Sequence, residues 1–197
     1  MILDFRQPPI DPRLTWLNPP RRWRLDPTAG LVLEPDATTD FWQHTHYGFR
    51  VDSGHFLGMP VKGDFVLSTT VAFHPVHQYD QAGLMLRADA SYWLKASVEH
   101  EQHGPAQLGA VLTTHGFSDW SLQDCPSIGK EIEWRLSKRG LNLTVEYKPV
   151  DQAEWKLVRV AHWHAPEQAG LHTGLYACSP KGEGFRAEFK YLRLIES

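Results

Sequence analysis

Glu99 and Glu101 stand two residues apart in the segment KASVEHEQH, a spacing that puts both carboxylates on one face of a strand. Cleaving a glycosidic bond needs two such groups at a defined separation, one giving a proton and the other activating water or attacking carbon. Asp80, in QYDQAG, is a further carboxylate that could pair with Glu99. Lys95 lies four residues before Glu99 and shares its face. A cation there favours an ionised carboxylate, which argues against Glu99 as a general acid.

His44 and His46 form an HxH pair in DFWQHTHYGF. On a strand both rings face one way, which can supply two of the three protein ligands of a catalytic zinc, with His55, His74 or His77 as a third. His162 and His164 repeat the spacing around Trp163. The chain has 11 histidines, so chance pairs are expected, and a zinc centre also needs outer groups that fix each ring tautomer. No metal and no cofactor are expected. Cys125 and Cys178 lack CxxC spacing and read as reduced thiols, Cys178 in LYACSP as a small core residue rather than a nucleophile. The GEG at 182–184 lacks the strand-to-helix setting of a phosphate loop.

Binding is better supported than catalysis. Alternation along 92–99 puts Leu94, Ala96 and Val98 on one face and Trp93, Lys95, Ser97 and Glu99 on the other. Along 79–87, Ala82, Leu84 and Leu86 form the apolar set, leaving Tyr79, Gln81, Gly83, Met85 and Arg87 opposite. If these strands lie centrally in a curved sheet, the second face is a groove. Aromatic rings there can stack on a pyranose while amides and charges bond its hydroxyls. The alternative is an outer face covered by neighbouring strands or by the N-terminal segment. Asp80 faces the apolar side by strict alternation, which is costly for an unbonded carboxylate. It is either a turn residue or re-aimed into the groove by a bulge near Tyr79. GFSDWSLQD at 116–124 reads as a rim loop in which Asp119 fixes its own turn and Trp120 covers the groove end. The candidate ligand-binding residues are therefore Tyr79, Asp80, Gln81, Trp93, Lys95, Glu99, Asp119 and Trp120, with His44 and His46.

The elements that must hold these residues are strands. No window keeps apolar residues at i, i+3, i+4 and i+7 for three turns. Alternating runs of five to eight residues, split by Gly, Pro, Asn and Asp, predict about eleven to thirteen strands in two packed antiparallel sheets. YDQAGLMLRAD and SYWLKASVEHE predict a hairpin turning at 88–91. KEIEWRLSKRGLNLTVEYKPV predicts another, with KRG as its turn and Glu133 and Arg135 as outward cross-strand charges. VDSGHFLGMPVKG reads as a loop. The Pro-rich segment 1–20 is expected to wrap the surface of one domain spanning 1–197.

Several phrases recur together: DFWQHTHYGF, GHF, GDFVL, YDQAGLMLR, YWLKASVEHE, FSDWS, YACSP and GFRAEFKYLRL. In this order, from Trp16 to Glu196, they resemble a family of unknown function with a concanavalin A-like fold, one fungal member of which is named for regulation of enolase. The resemblance implies an all-β, concanavalin A-like jelly-roll sandwich of two antiparallel sheets. The wider superfamily contains lectins, carbohydrate-binding modules and glucanases, an analogy at the level of fold.

Composition narrows the rest. A hydrophobic content of 42% supports a real core, and the 8 tryptophans suit a β-rich core or a sugar-stacking surface. A net charge of −3 gives no basic field, so nucleic acid is not an expected partner. No apolar run approaches the roughly 20 residues that cross a bilayer, and MILDFRQPPIDPRLTWLNPP does not read as a secretory leader. The expectation is a cytoplasmic, non-catalytic binding protein whose concave groove takes a carbohydrate or related polar metabolite. A glycoside hydrolase-like enzyme using Glu99 is one alternative, and an adaptor with a protein partner and a role in regulating metabolism is another.

Overall fold

Along Glu131–Arg139 every second side chain is buried, namely Ile132, Trp134, Leu136 and Lys138, and Leu143, Val145 and Tyr147 repeat the rhythm on the returning strand. That period of two makes one face of a sheet apolar and forces it against a second sheet. The structure, a computed structural model, describes residues 1–125, 131–166 and 169–196. Among them are eighteen strands. The first nine are β1 (Ile2–Asp4), β2 (Thr15–Leu17), β3 (Arg22–Asp26), β4 (Gly30–Glu34), β5 (Phe41–Gln43), β6 (Arg50–Asp52), β7 (His55–Val61), β8 (Phe65–His74) and β9 (Gln81–Asp89). The others are β10 (Tyr92–Glu99), β11 (Gln107–Thr114), β12 (Phe117–Asp124), β13 (Glu131–Arg139), β14 (Asn142–Pro149), β15 (Lys156–His162), β16 (Leu171–Cys178), β17 (Arg186–Phe189) and β18 (Tyr191–Glu196).

Two large antiparallel sheets form the concanavalin A-like sandwich. One runs β12-β11-β10-β9-β16-β7-β2. The other runs β15-β14-β13-β8-β17-β4-β3, with β18 also on β8 and β1 on β18. β13 takes one edge of β8, while β18 and β17 share the other at Phe65–Ser68 and Val71–His74. The core between the sheets holds Ala82, Leu84, Leu86, Leu94, Ala96 and Val98 from one side and Leu67, Val71, Trp134, Leu136 and Phe189 from the other. Each fully buried Leu or Val in it contributes about 1.5–3 kcal/mol relative to exposure.

Both expected hairpins are present. β9 and β10 join through a turn in which Asp89 Oδ1 accepts the Ser91 and Tyr92 N–H groups. Between β13 and β14 the turn is Gly140–Leu141 and not KRG, with Leu141 exposed at the tip. Glu133 and Arg135 do face outward, each paired across to β14, with Lys148 at 3.0 Å and Glu146 at 2.6 Å. Two readings are corrected. VDSGHFLGMPVKG is largely strand, because β7 pairs with both β16 and β2 and buries His55, Phe56, Leu57 and Met59. The 1–20 segment does more than wrap: β1 and β2 each join a sheet, and Phe5 and Leu14 enter the core.

The second face of the seven-stranded sheet is covered by a small separate hairpin, β5 paired with β6. Phe41 and Trp42 from this hairpin pack with Phe56, Met85, Trp93, Val111, Tyr176 and Cys178 in a second apolar cluster. Close approach is possible because residue 54 is glycine, where a Cβ would lie 2.4 Å from the Phe41 ring and 2.5 Å from Cys178 Sγ. Arg87 fastens the hairpin by a two-pronged bond to Asp52 (2.8 and 2.7 Å) and lies over the Phe41 ring. Beside this cluster the cover is incomplete, and a cavity remains.

Candidate ligand-binding pocket

The cavity has a volume of about 340 Å³. Gln81 of β9, Lys95 and Glu99 of β10 and Val111 of β11 form its floor. Register explains the grouping: Glu99 faces Gln81 across one ladder and Lys95 faces Val111 across the other. The walls are Trp42, Tyr47, Phe49 and Val51 of the small hairpin, Tyr79, Trp120 of β12, and Thr38, Asp40, Pro180 and Lys181 from two loops. The rings stand nearly perpendicular to one another, Trp42 to Trp120 at 79° and Tyr79 to Trp120 at 80°.

A buried ion pair anchors the floor. Lys95 Nζ donates to Asp40 Oδ1 at 2.8 Å, and the Phe41 N–H donates to the same oxygen at 2.7 Å. Lys95 is 3% exposed and also lies over the rings of Trp93 and Tyr176. Burial alone would lower the pKa of such an ammonium, but the charges of Asp40, Cys178 and Glu99 and the Asp40 bond outweigh it, and the pKa is raised.

Glu99 lacks a comparable partner. It is 4% exposed. Its carboxylate receives a long bond from Ser97 Oγ at 3.5 Å. The Trp120 Nε1–H favours its charge, although that buried nitrogen makes no well-formed hydrogen bond. Burial dominates and raises the carboxyl from 4.5 to about 7; Lys95 opposes the shift and Asp40 adds to it. The sequence-based expectation that Lys95 favours an ionised Glu99 over a raised pKa is therefore corrected. Desolvation is the stronger effect, and the carboxylate that bonds to Lys95 is Asp40.

Five sequence candidates lie on this cavity: Tyr79, Gln81, Lys95, Glu99 and Trp120. Tyr79 reaches it through a positive φ of 66° just before β9, the irregularity that strict alternation cannot see. Gln81 is held by the Tyr176 hydroxyl (3.2 Å) and by its own bond to Tyr79 O (3.2 Å). The other five lie elsewhere. Asp80 is fully buried away from the cavity, accepting from the Val76 and His77 N–H groups and from Ser179 Oγ at 2.6 Å. It is the turn residue of the two readings, with its desolvation cost met by those donors. Trp93 is wholly buried in the second cluster, with Phe41 against its ring and its Nε1 donating to Ala90 O. Asp119 belongs to β12, not to a rim loop, and points outward to Arg159 at 2.6 Å. His44 and His46 sit in the turn after β5, each with positive φ (54° and 63°), against Phe117 and Tyr47 respectively. They do not share a strand face.

His55, a possible third metal ligand, has both nitrogens engaged. Nε2 accepts the Asp36 N–H at 2.9 Å, so Nδ1 carries the proton and donates to Asn18 O at 2.6 Å. Among the described residues no three His, Cys, Asp or Glu side chains gather as a metal site.

Sequence reasoning missed Asp40, Trp42, Tyr47 and Phe49. The density of aromatics in DFWQHTHYGF was the available signal. Its placement over β10, more than forty residues later, was not readable from parity.

A family model spans residues 16–197 of this sandwich and its pocket. The chain belongs to the family described as protein of unknown function, DUF1349. Within reach of this DUF1349 chain is Regulation of enolase protein 1 of Saccharomyces cerevisiae, 38% identical over 176 residues, which cover 89% of this chain and 85% of that one. A solved structure of a functionally unknown protein from Saccharomyces cerevisiae superposes with a TM-score of 0.85 at 35% identity, covering 94% of this chain and 97% of that one. A GH43 protein from Bacillus licheniformis matches the whole DUF1349 chain with 39% of its own length, at a TM-score of 0.80 and 15% identity. At that identity the likeness is one of fold.

Proposed function

We propose that this chain is a non-catalytic binding protein and that the pocket above Lys95 and Glu99 takes a carbohydrate or a related polar metabolite. One observation carries the reading. Glu99 is an almost fully buried carboxyl with no charged bonding partner, set on the floor of a cavity walled by aromatic rings. Its protein donors are weak, the long Ser97 Oγ bond and the poorly aligned Trp120 N–H, and a polyhydroxylated ligand brings better ones while its C–H faces meet the rings. The lining carries Asp40 and Glu99 against Lys95 and Lys181, so its formal charges cancel when Glu99 is ionised, which suits a neutral ligand. Two reduced, buried thiols fit a reducing compartment, and the cytoplasm is the location we propose. Among the described residues no helix is long and apolar enough to cross a membrane.

A hydrolase reading draws on the raised Glu99 carboxyl, which suits a general acid, and on Asp40 in the same cavity. Against it, Asp40 is already engaged by Lys95 and by the Phe41 N–H, leaving it poorly placed to activate water or attack carbon. A protein-adaptor reading draws on Tyr47 and Phe49, exposed on the pocket wall, and on Phe117, exposed against His44. The test is a thermal-shift screen of monosaccharides and short oligosaccharides, followed by calorimetry on the wild type and Trp120→Ala. We expect saturable binding that Trp120→Ala weakens. No binding by any sugar, or equal binding by the variant, refutes the reading.

A further inference from the structure

Floor and rim of the pocket differ sharply in access. Lys95 and Glu99 are 3% and 4% exposed, whereas the rim aromatics Tyr47 and Phe49 are 50% and 48% exposed. Walls rise from separate parts of the chain: the small hairpin, the edge strand β12 through Trp120, and the loop carrying Pro180 and Lys181. A site that binds the middle of a polymer needs a trough whose polar floor is open along its length. Here the polar floor groups Gln81, Lys95 and Glu99 are buried, while walls stand on several sides and the aromatic rim is half exposed. The volume of about 340 Å³ lies at the small end for ligand pockets, which run from about 300 to 1,000 Å³.

We infer, building on the carbohydrate reading above, that the pocket takes one sugar ring, either as a free monosaccharide or as the terminal unit of a chain, and excludes the interior of a polysaccharide. The ring enters between the hairpin and Trp120 and places a hydroxyl against Glu99. A chain attached to it leaves past Tyr47 and Phe49 into solvent. The small hairpin therefore sets the length of ligand admitted. It is fixed in place by Asp52 on Arg87 and by the Gln43 N–H on Ser118 Oγ, so the well is already formed.

The experiment uses the full chain and three probe sets: free glucose, galactose, mannose, xylose and N-acetylglucosamine; oligosaccharides of these units; and soluble xylan and mixed-linkage β-glucan, intact or cut to short chains at equal mass. Expected is one-to-one binding of at least one free sugar or of an oligosaccharide bearing it at its end. Cutting the polymer should then raise the bound protein in proportion to the new ends. Binding by free sugars alone assigns the soluble source, and binding by cut chains alone assigns the chain end; both support the inference. Binding to intact polymer that does not change on cutting overturns it while leaving the carbohydrate reading intact. No binding by any probe overturns both.

Discussion

Gly109 and Glu99 meet across the β10–β11 ladder so closely that a Cβ at residue 109 would lie 1.9 Å from Glu99 Oε1. The glycine is diagonal to Glu99 on the pocket face and leaves the space in which the carboxyl lies. Gly109→Ala should therefore overpack the floor, lowering stability by about 1–3 kcal/mol and displacing the carboxyl into the cavity. A double-mutant cycle with Glu99→Ala, read by urea unfolding, checks the cause. The alanine at 109 should cost much less once Glu99 is truncated. An unchanged cost would show that the carboxyl contact is not what it disturbs.

Glu99 also gives the fold a pH dependence of definite sign. Its carboxyl titrates near 4.5 when unfolded and near 7 when folded, so between these values the native state holds more protons. Its contribution is fully present below about pH 4.5 and is lost as pH rises to about 7, a difference of about 3 kcal/mol. Other groups titrate in the same range, so the informative quantity is the difference between wild type and Glu99→Gln. The wild type should lose stability relative to the variant from pH 4.5 to 7 and then run parallel to it. Parallel curves throughout would mean that Glu99 titrates normally.

How much of this was legible in the sequence depends on the distance over which each feature is encoded. Period-two alternation is local, so it placed Leu94, Ala96 and Val98 in the main core and Lys95 and Glu99 on the opposite face, as found. It could not tell that Trp93 lies beneath the cover while Lys95 and Glu99 line the cavity, because that depends on where the 41–52 hairpin lands. Tyr79 and Asp80 follow from a positive φ, and the commitment of Asp40 to Lys95 spans 55 residues. The Glu99 proton balance is not legible locally, because desolvation is set by this long-range cover while only the Lys95 charge is visible in the local pattern.

Removing one member of the floor ion pair should be severe. Lys95→Met leaves Asp40 without its cation and removes the main charge that opposes protonation of Glu99. A loss of about 3–5 kcal/mol is expected, as for other broken buried pairs. The Glu99 carboxyl should also titrate higher, as followed by carbon NMR of the side chain. Lys95→Met with Asp40→Asn should recover part of the stability. A single variant as stable as wild type would mean the pair does not hold the 38–41 loop to the sheet.

Asp119 and Arg159 test the edge of the sandwich separately from the pocket. Arg159 donates to Asp119, to the carbonyls of Ala110 and Asp119 and to Ser121 Oγ, linking β15 to β11 and β12. The Asp119 side chain is 73% exposed, so Asp119→Ala should change stability by less than about 1 kcal/mol. Arg159→Ala loses the backbone bonds as well and should cost more. Neither should alter sugar affinity in calorimetry, and a large loss of affinity in Asp119→Ala would return that residue to the site.

Trp93 and Trp120, both ligand-binding candidates by sequence, should separate cleanly. Trp93 is wholly enclosed by Phe41, Lys95 and their neighbours, so Trp93→Ala leaves a large void and should cost about 3–5 kcal/mol. A loss of binding in that variant would report damage to the fold. Trp120 is partly exposed on an edge strand, between Trp42 and Tyr79 at the cavity wall. Trp120→Ala should leave the urea midpoint closer to wild type and still remove most of the sugar affinity, because it deletes both the stacking face and the indole N–H beside Glu99. Measured together, unfolding and calorimetry should place Trp93 on the stability axis and Trp120 on the binding axis. If Trp120→Ala binds sugar as the wild type does, the aromatic wall is not the recognition surface.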